Sequence, residues 1–243
     1  VADFGNERIQ ALNPDLSPLF SVGRLGSLPG EFRDPCGVAV DRTGALYVAD
    51  TWNGRVQVLD ATGAFRNEFS SDFFGPRGIA VDEAGTVFVA DTGNSRIVRF
   101  DARGLKDGAF GREPGPGQLA EPQGLALGKD GLLYVADNAN GRVAVFTKTG
   151  AFVRAFPVAG WKREPMGEPY LAVDASGTVW VSVPLAGEIR GYAPDGRLLA
   201  TARGMDQPEG RRFVHPSGVA LLPGHRLAVA DLEGRVVAIS LPK

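Results

Sequence analysis

Apolar residues in this chain come in short runs, each closed by glycine, proline, asparagine or aspartate. Leu46-Tyr-Val-Ala-Asp50, Ile79-Ala-Val81, Val87-Phe-Val-Ala-Asp91 and Leu133-Tyr-Val-Ala-Asp137 set the type. Runs this short, rich in Val, Ile, Tyr and Phe and bounded by turn formers, predict β-strands. No ten-residue stretch holds a helical period, which excludes alternating βα units.

The runs recur in a fixed order. One copy reads Pro35-Cys-Gly-Val-Ala-Val-Asp41, Gly44, Leu46-Tyr-Val-Ala-Asp50, Asn53-Gly-Arg55-Val-Gln-Val-Leu-Asp60, Gly63. The next reads Pro76-Arg-Gly-Ile-Ala-Val-Asp82, Gly85, Val87-Phe-Val-Ala-Asp91, Asn94-Ser-Arg96-Ile-Val-Arg-Phe-Asp101, Gly104. Further copies start at Pro122, Pro169 and Pro216, and Val1-Ala-Asp3 through Asn6-Glu-Arg8-Ile-Gln10 matches the second half of the unit. The matched positions Gly37, Gly78, Gly124, Tyr170 and Gly218 are 41, 46, 46 and 48 residues apart. That is the blade length of a four-stranded propeller.

One such unit cannot bury its apolar faces alone, so the copies must stack. The predicted fold is therefore all-β: a six-bladed β-propeller of four-stranded repeats. It forms one domain over residues 1–243, with blades near 1–34, 35–75, 76–121, 122–168, 169–215 and 216–243. The first blade is incomplete at the N-terminus and the closing unit stops after its third strand. Residues upstream of Val1, or a weakly closed seam, are the corresponding expectation. The Asp-x-x-Gly steps at Asp41–Gly44, Asp82–Gly85 and Asp174–Gly177 predict tight hairpins, with Asp bonding local backbone and Gly taking positive φ. The recurring Ala39, Ala80, Ala126, Ala172 and Ala220 are expected where neighbouring sheets crowd together.

At Pro76-x-Gly-Ile-Ala-Val-Asp82 and Val89-Ala-Asp-Thr-Gly-Asn-Ser-Arg-Ile97 the chain resembles the NHL-repeat family, and the likeness runs over essentially its whole length. The fourth full copy departs. Ser182 is read in the place of Asp, Glu188 in the place of Arg, and Tyr170 in the place of Gly. The resemblance implies one of three kinds of protein: a protein-binding module, an RNA-binding domain, or a lyase- or lactonase-like enzyme. Many stand-alone relatives are exported, so it also implies an extracytoplasmic location.

Composition narrows these classes. Net charge is −2 with Lys and Arg scattered, whereas phosphate binding clusters them. Nucleic acid is therefore disfavoured as a partner. No run approaches the roughly 18 apolar residues of a transmembrane helix. Cys36, the single cysteine, excludes an internal disulfide, and no base is recognisable beside it to make it a nucleophile. The two histidines, His215 and His225, fall in unlike places and do not predict a zinc site. Gly111-Arg-Glu-Pro-Gly-Pro-Gly117 lacks Gly-Lys-Ser/Thr, and its prolines remove backbone donors, so it is a loop between blades and not a phosphate cradle. No catalytic residue, metal or cofactor is expected.

The Asp–Arg pairs (Asp3 with Arg8, Asp50 with Arg55, Asp91 with Arg96, Asp137 with Arg142, Asp231 with Arg235) repeat in nearly every unit. That regularity marks them as ties across one loop, since a site is built where repeats differ. The variable loop positions are the candidates: Trp52, Asn53, Asn94 and Asn140 beside Val-Ala-Asp, and Arg77, Gln123, Tyr170 and His215 around Pro-x-Gly. Trp161, in the long insert Pro157–Pro169 with Met166, completes the set. The function expected is a non-enzymatic interaction or scaffold propeller, as a subunit or module of a larger extracytoplasmic assembly, with an unidentified protein partner. A lyase- or lactonase-like enzyme with a channel-mouth site and an RNA-binding domain are the alternatives.

Overall fold

The computed structural model describes residues 1–162, 167–204 and 212–242. Met166 of the long insert lies outside them. Among the described residues twenty-two strands form six separate antiparallel sheets with sequential strand order. The sheets are β1–β3 (2–22), β4–β7 (35–69), β8–β11 (76–110), β12–β15 (122–157), β16–β19 (171–202) and β20–β22 (216–240). They are the blades of a six-bladed β-propeller. The first and last sheets have three strands, as the half-copies at the two ends of the sequence require. The chain divides into two compact units, Val1–Leu125 and Ala126–Lys243. No described helix is long and apolar enough to cross a membrane.

The hairpins form for the reason the sequence gives. At Asp41 the carboxylate accepts from Thr43 N and Ala45 N at 2.8 and 3.0 Å, and Gly44 takes φ +83. Asp82–Gly85 and Asp174–Gly177 repeat the device. Between the second and third strands runs a one-turn 3-10 helix in four blades: Phe4–Asn6, Thr51–Asn53, Thr92–Asn94 and Pro184–Ala186.

In the first unit, Pro-x-Gly governs how adjacent blades meet. A Cβ on Gly37 would lie 2.1 Å from the Arg77 carbonyl oxygen, and one on Gly78 would lie 2.0 Å from that of Gln123. Only glycine lets the first strands approach this closely. The tightest approach is thus at the glycine and not at the alanines, and Ala220 in the last sheet is exposed. Thr51 Oγ1 and Thr92 Oγ1 add a tie at each step, donating to Pro76 O and Pro122 O at 2.9 and 2.7 Å. Apolar side chains fill the wedge behind. Val56, Ile79, Val89, Val98 and Phe100 form one such cluster, all nearly inaccessible.

Candidate functional site

The loops between second and third strands are fixed by a polar clamp built from the repeat itself. In the second blade Asp50, fully buried, accepts from Arg55 Nε at 2.8 Å, from Asn53 Nδ2 at 2.9 Å, from Gln57 Nε2 at 3.0 Å and from Arg33 N at 2.8 Å. Arg55 Nη2 then donates to Leu28 O and Glu31 O, and Asn53 Nδ2 to Gly26 O. The clamp therefore seizes the backbone of the preceding interblade loop, 23–34. The third blade repeats it: Asp91 holds Arg96, Asn94 and Phe74 N, while Arg96 Nη2 reaches Ser71 O. Asp137 holds Arg142 and Asn140. Asp231 holds His215 N and Val214 N together with Arg235. Burial would push the Asp231 carboxyl up. Those two amides and the Arg235 guanidinium outweigh it and hold the group below the usual carboxylate range.

The degenerate fifth blade corrects the sequence alignment. Val183, not Ser182, pairs with Glu188 and so stands in the Asp position. Ser182 takes the place of Ala49. The first strand there has one residue fewer and no bulge, so Tyr170 falls opposite Ser182 and does stand where Gly37 does. An apolar plug replaces the polar clamp. Val183 is fully buried with Trp161, which is 7% exposed and donates its indole N–H to Ser182 O at 2.8 Å. Glu188 sits in the Arg position and accepts from Arg190 and Arg203, both at 2.8 Å. Burial would raise this carboxyl, but the two guanidinium groups keep it below its ordinary value. Arg190 Nη1 in turn grips the preceding loop at Ala159 O.

The sequence-predicted site residues now separate. Asn53, Asn94 and Asn140 spend their amides on the clamp carboxylates. Tyr170 is tied through its backbone to Ser182 Oγ, and His215 through its backbone to Asp231. Arg77 lies 3.6 Å from Cys36 Sγ, and Gln123 is buried with Oε1 lacking a hydrogen-bond partner. Trp161 is in the core. Trp52, by contrast, is 53% exposed.

Three large apolar residues that the sequence did not single out share Trp52's neighbourhood. Leu25, Leu28 and Phe74 are 66%, 63% and 62% exposed, more than Trp52 itself. Their segments abut. Gly26 is bonded by Asn53, Trp52 N donates to Arg33 O at 3.0 Å, and a Cβ on Gly75 would be 4.0 Å from Thr51 Cγ2. A clue was present in Phe73-Phe74, where the first ring packs against the core cluster and the second faces outward. A second clue was loop 23–34 beside loop 111–121. Phe32 and Leu119 are buried under Gly23 and Gly111 in the two loops, yet only the first also carries outward leucines.

Models of the NHL repeat match residues 32–59, 73–100 and 119–146, the first three strands of three successive blades with their lead-in loops. Three successive blades of the chain carry NHL repeats. Among characterised proteins, B-box type zinc finger protein ncl-1 of Caenorhabditis elegans is 48% identical over 44 residues, 18% of this chain and 5% of ncl-1. Protein brain tumor of Drosophila melanogaster is 43% identical over 47 residues, 19% of this chain and 4% of that protein. The matched segments are thus about a twentieth of those NHL relatives' length. In solved structures the fold recurs at low identity. Virginiamycin B lyase of Staphylococcus aureus aligns with 99% of this chain and 79% of its own, at TM-score 0.65 and 14% identity. A Bacteroides caccae protein of unknown function aligns with 97% and 87% at TM-score 0.72 and 15% identity.

Proposed function

We propose that this NHL propeller is a non-catalytic interaction module that holds a protein partner on the apolar patch formed by Leu25, Leu28, Trp52 and Phe74. The observation that carries this reading is that four large apolar side chains stand outward on loops whose backbones are locked by buried Asp–Arg clamps. A soluble surface exposes isolated apolar residues freely, but a cluster of this kind marks an interaction site. Pre-fixed aromatic anchors lose little conformational freedom on binding, which is what binding hot spots require. The nucleic-acid alternative would draw on arginines such as Arg77, Arg96, Arg99 and Arg142, and three of these four are engaged by carboxylates. Arg96, Arg99 and Arg142 each lie 2.7 Å from a carboxylate, those of Asp91, Asp107 and Asp137. The lyase reading rests on likeness of fold alone, and one fold hosts many activities.

The test is in-cell photo-crosslinking from a photoreactive residue at position 28, with the bound protein then purified and titrated. Leu25→Ser and Phe74→Ser are expected to weaken that partner at least tenfold, with the melting temperature unchanged. Unchanged affinity in both variants, or salt-dependent capture of RNA instead, would sink the proposal.

A further inference from the structure

We infer that the cavity between the second and third blades is a receptor for a guanidinium group, the head of an arginine side chain or of a free guanidino compound. It lies at the end of the strands opposite the Trp52 loop, and the inference does not depend on the apolar patch. The cavity measures about 280 Å³. Its lining includes Asp41, Tyr47 and Asn67 of the second blade and Asp101 and Ala102 of the third. That volume is just under the roughly 300 Å³ at which pockets for small molecules begin.

The fourth and fifth blades show what such a gap takes. There Arg154 stands opposite Val145, as Asn67 stands opposite Val58 in the second blade. Arg154 Nε donates to Pro194 O of the fifth blade at 2.9 Å, and its Nη2 donates to Tyr134 Oη at 3.0 Å. Its Cζ lies 5.8 Å from the centre of the Tyr134 ring, within reach of a cation–π contact. The Tyr134 O–H donates to Asp130 Oδ2 at 2.7 Å, which leaves the oxygen's lone pairs for the guanidinium. A planar fork meets both acceptors at once, whereas an ammonium is a single point charge. The first blade fills the same position with Phe20, opposite Ala11. A Cβ on Gly63 of the next blade would lie 3.1 Å from that ring.

The second and third blades keep the acceptors and have Asn67, short and exposed, in the arginine's place. Tyr47 pairs with Val58 as Tyr134 pairs with Val145, and its O–H donates to Asp41 Oδ2 at 3.4 Å. Ala102 holds the place of Pro194. Gly104 N donates to Asp101 O and Gly196 N to Ala193 O, both at 2.9 Å, so the two turns present the intervening carbonyl alike. Tyr134 is inaccessible beneath Arg154, whereas Tyr47 is partly exposed. Two charges differ. Asp101 replaces Ala193 and is engaged by Arg103 at 2.7 Å, and Arg66 replaces Val153 with its Nε 3.9 Å from Asp60. One charge of each sign is added, so the acceptors and the Tyr47 ring decide the ligand.

The probe is propylguanidinium at millimolar concentration, titrated into the whole protein and read by NMR of the tyrosine rings and asparagine amides. Saturable shifts are expected at Tyr47 and Asn67, with Tyr134 unmoved. Propylammonium should bind about tenfold more weakly, since it cannot bridge both acceptors. Tyr47→Phe deletes one acceptor and should weaken the probe roughly tenfold. Asn67→Arg copies the fourth blade and should abolish binding, with the melting temperature held or raised. A blocked Gly-Arg-Gly peptide separates the sources. Binding as tight as that of propylguanidinium assigns the site to an arginine of another polypeptide, and exclusion assigns it to a free guanidino compound. Shifts that do not saturate, equal affinity for propylammonium, or undiminished binding by Asn67→Arg would overturn the inference. If Asn67→Arg does not fold, Tyr47→Phe and the ammonium comparison decide.

Discussion

The second and fifth blades hold their preceding loops with opposite chemistry. In the second, a buried carboxylate gathers Arg55, Asn53, Gln57 and a backbone amide. In the fifth, Val183 takes the carboxylate's place, Trp161 closes over it, and Glu188 reverses the charge of the arginine position. Both grip a carbonyl of the incoming loop, through Arg55 in one and Arg190 in the other. What the repeat preserves is the grip, not the residues that make it. The comparison also separates irregularity from exposure. The insert and the broken repeat turn their tryptophan inward, while the regular second blade displays the apolar side chains.

The comparison can be broken most severely by forcing one chemistry onto the other. Val183→Asp places a carboxylate in a fully buried apolar site opposite Glu188, whose own charge already engages Arg190 and Arg203. It should cost more than about 4 kcal/mol, or prevent folding, as measured by urea unfolding. Trp161→Ala opens a cavity on Val183 and should cost roughly 4 kcal/mol in the same measurement. Asp50→Ala leaves Arg55 and the Arg33 amide without their acceptor. About 3 kcal/mol of loss is expected, with accelerated amide exchange across loop 23–34. A stable Asp50→Ala protein with that loop still protected would show that the clamp does not fix the patch.

The reversed charge predicts a pH signature. Glu188 has a folded-state pKa below its unfolded value, so its contribution is fully present above the usual glutamate range near ~4.3. That contribution fades as pH falls through the folded value. Glu188→Gln should therefore lower stability at pH 7, with the gap from the unaltered protein closing toward pH 3. A gap constant with pH would mean the carboxylate contributes by shape alone. The smallest effect belongs to Trp52→Ala, expected within about 0.5 kcal/mol because the ring is half in solvent. Its consequence should be seen in partner binding and not in unfolding.

Much of this molecule was legible from residues. The strand runs, the Asp-x-x-Gly hairpins and the own-blade Asp–Arg ties all follow from local chemistry that each copy repeats. The fifth blade was misread at one position: the spacing that sets Tyr170 on Gly37 and Glu188 on Arg55 also sets Val183, not Ser182, on Asp50, and the strand pairing agrees. Trp161 and Trp52 are equally plausible anchors in the sequence, since each sits on a loop within two residues of a glycine.

The sequence by itself determined the repeat, the strand count of each unit and the turns, because these depend on side-chain periodicity and on neighbours within a few residues. Tertiary structure alone decided which aromatic faces water and why Pro-x-Gly must be glycine. Those outcomes depend on the carbonyls and side chains of the neighbouring strand or loop, and residues 20 to 50 places away in the chain set them.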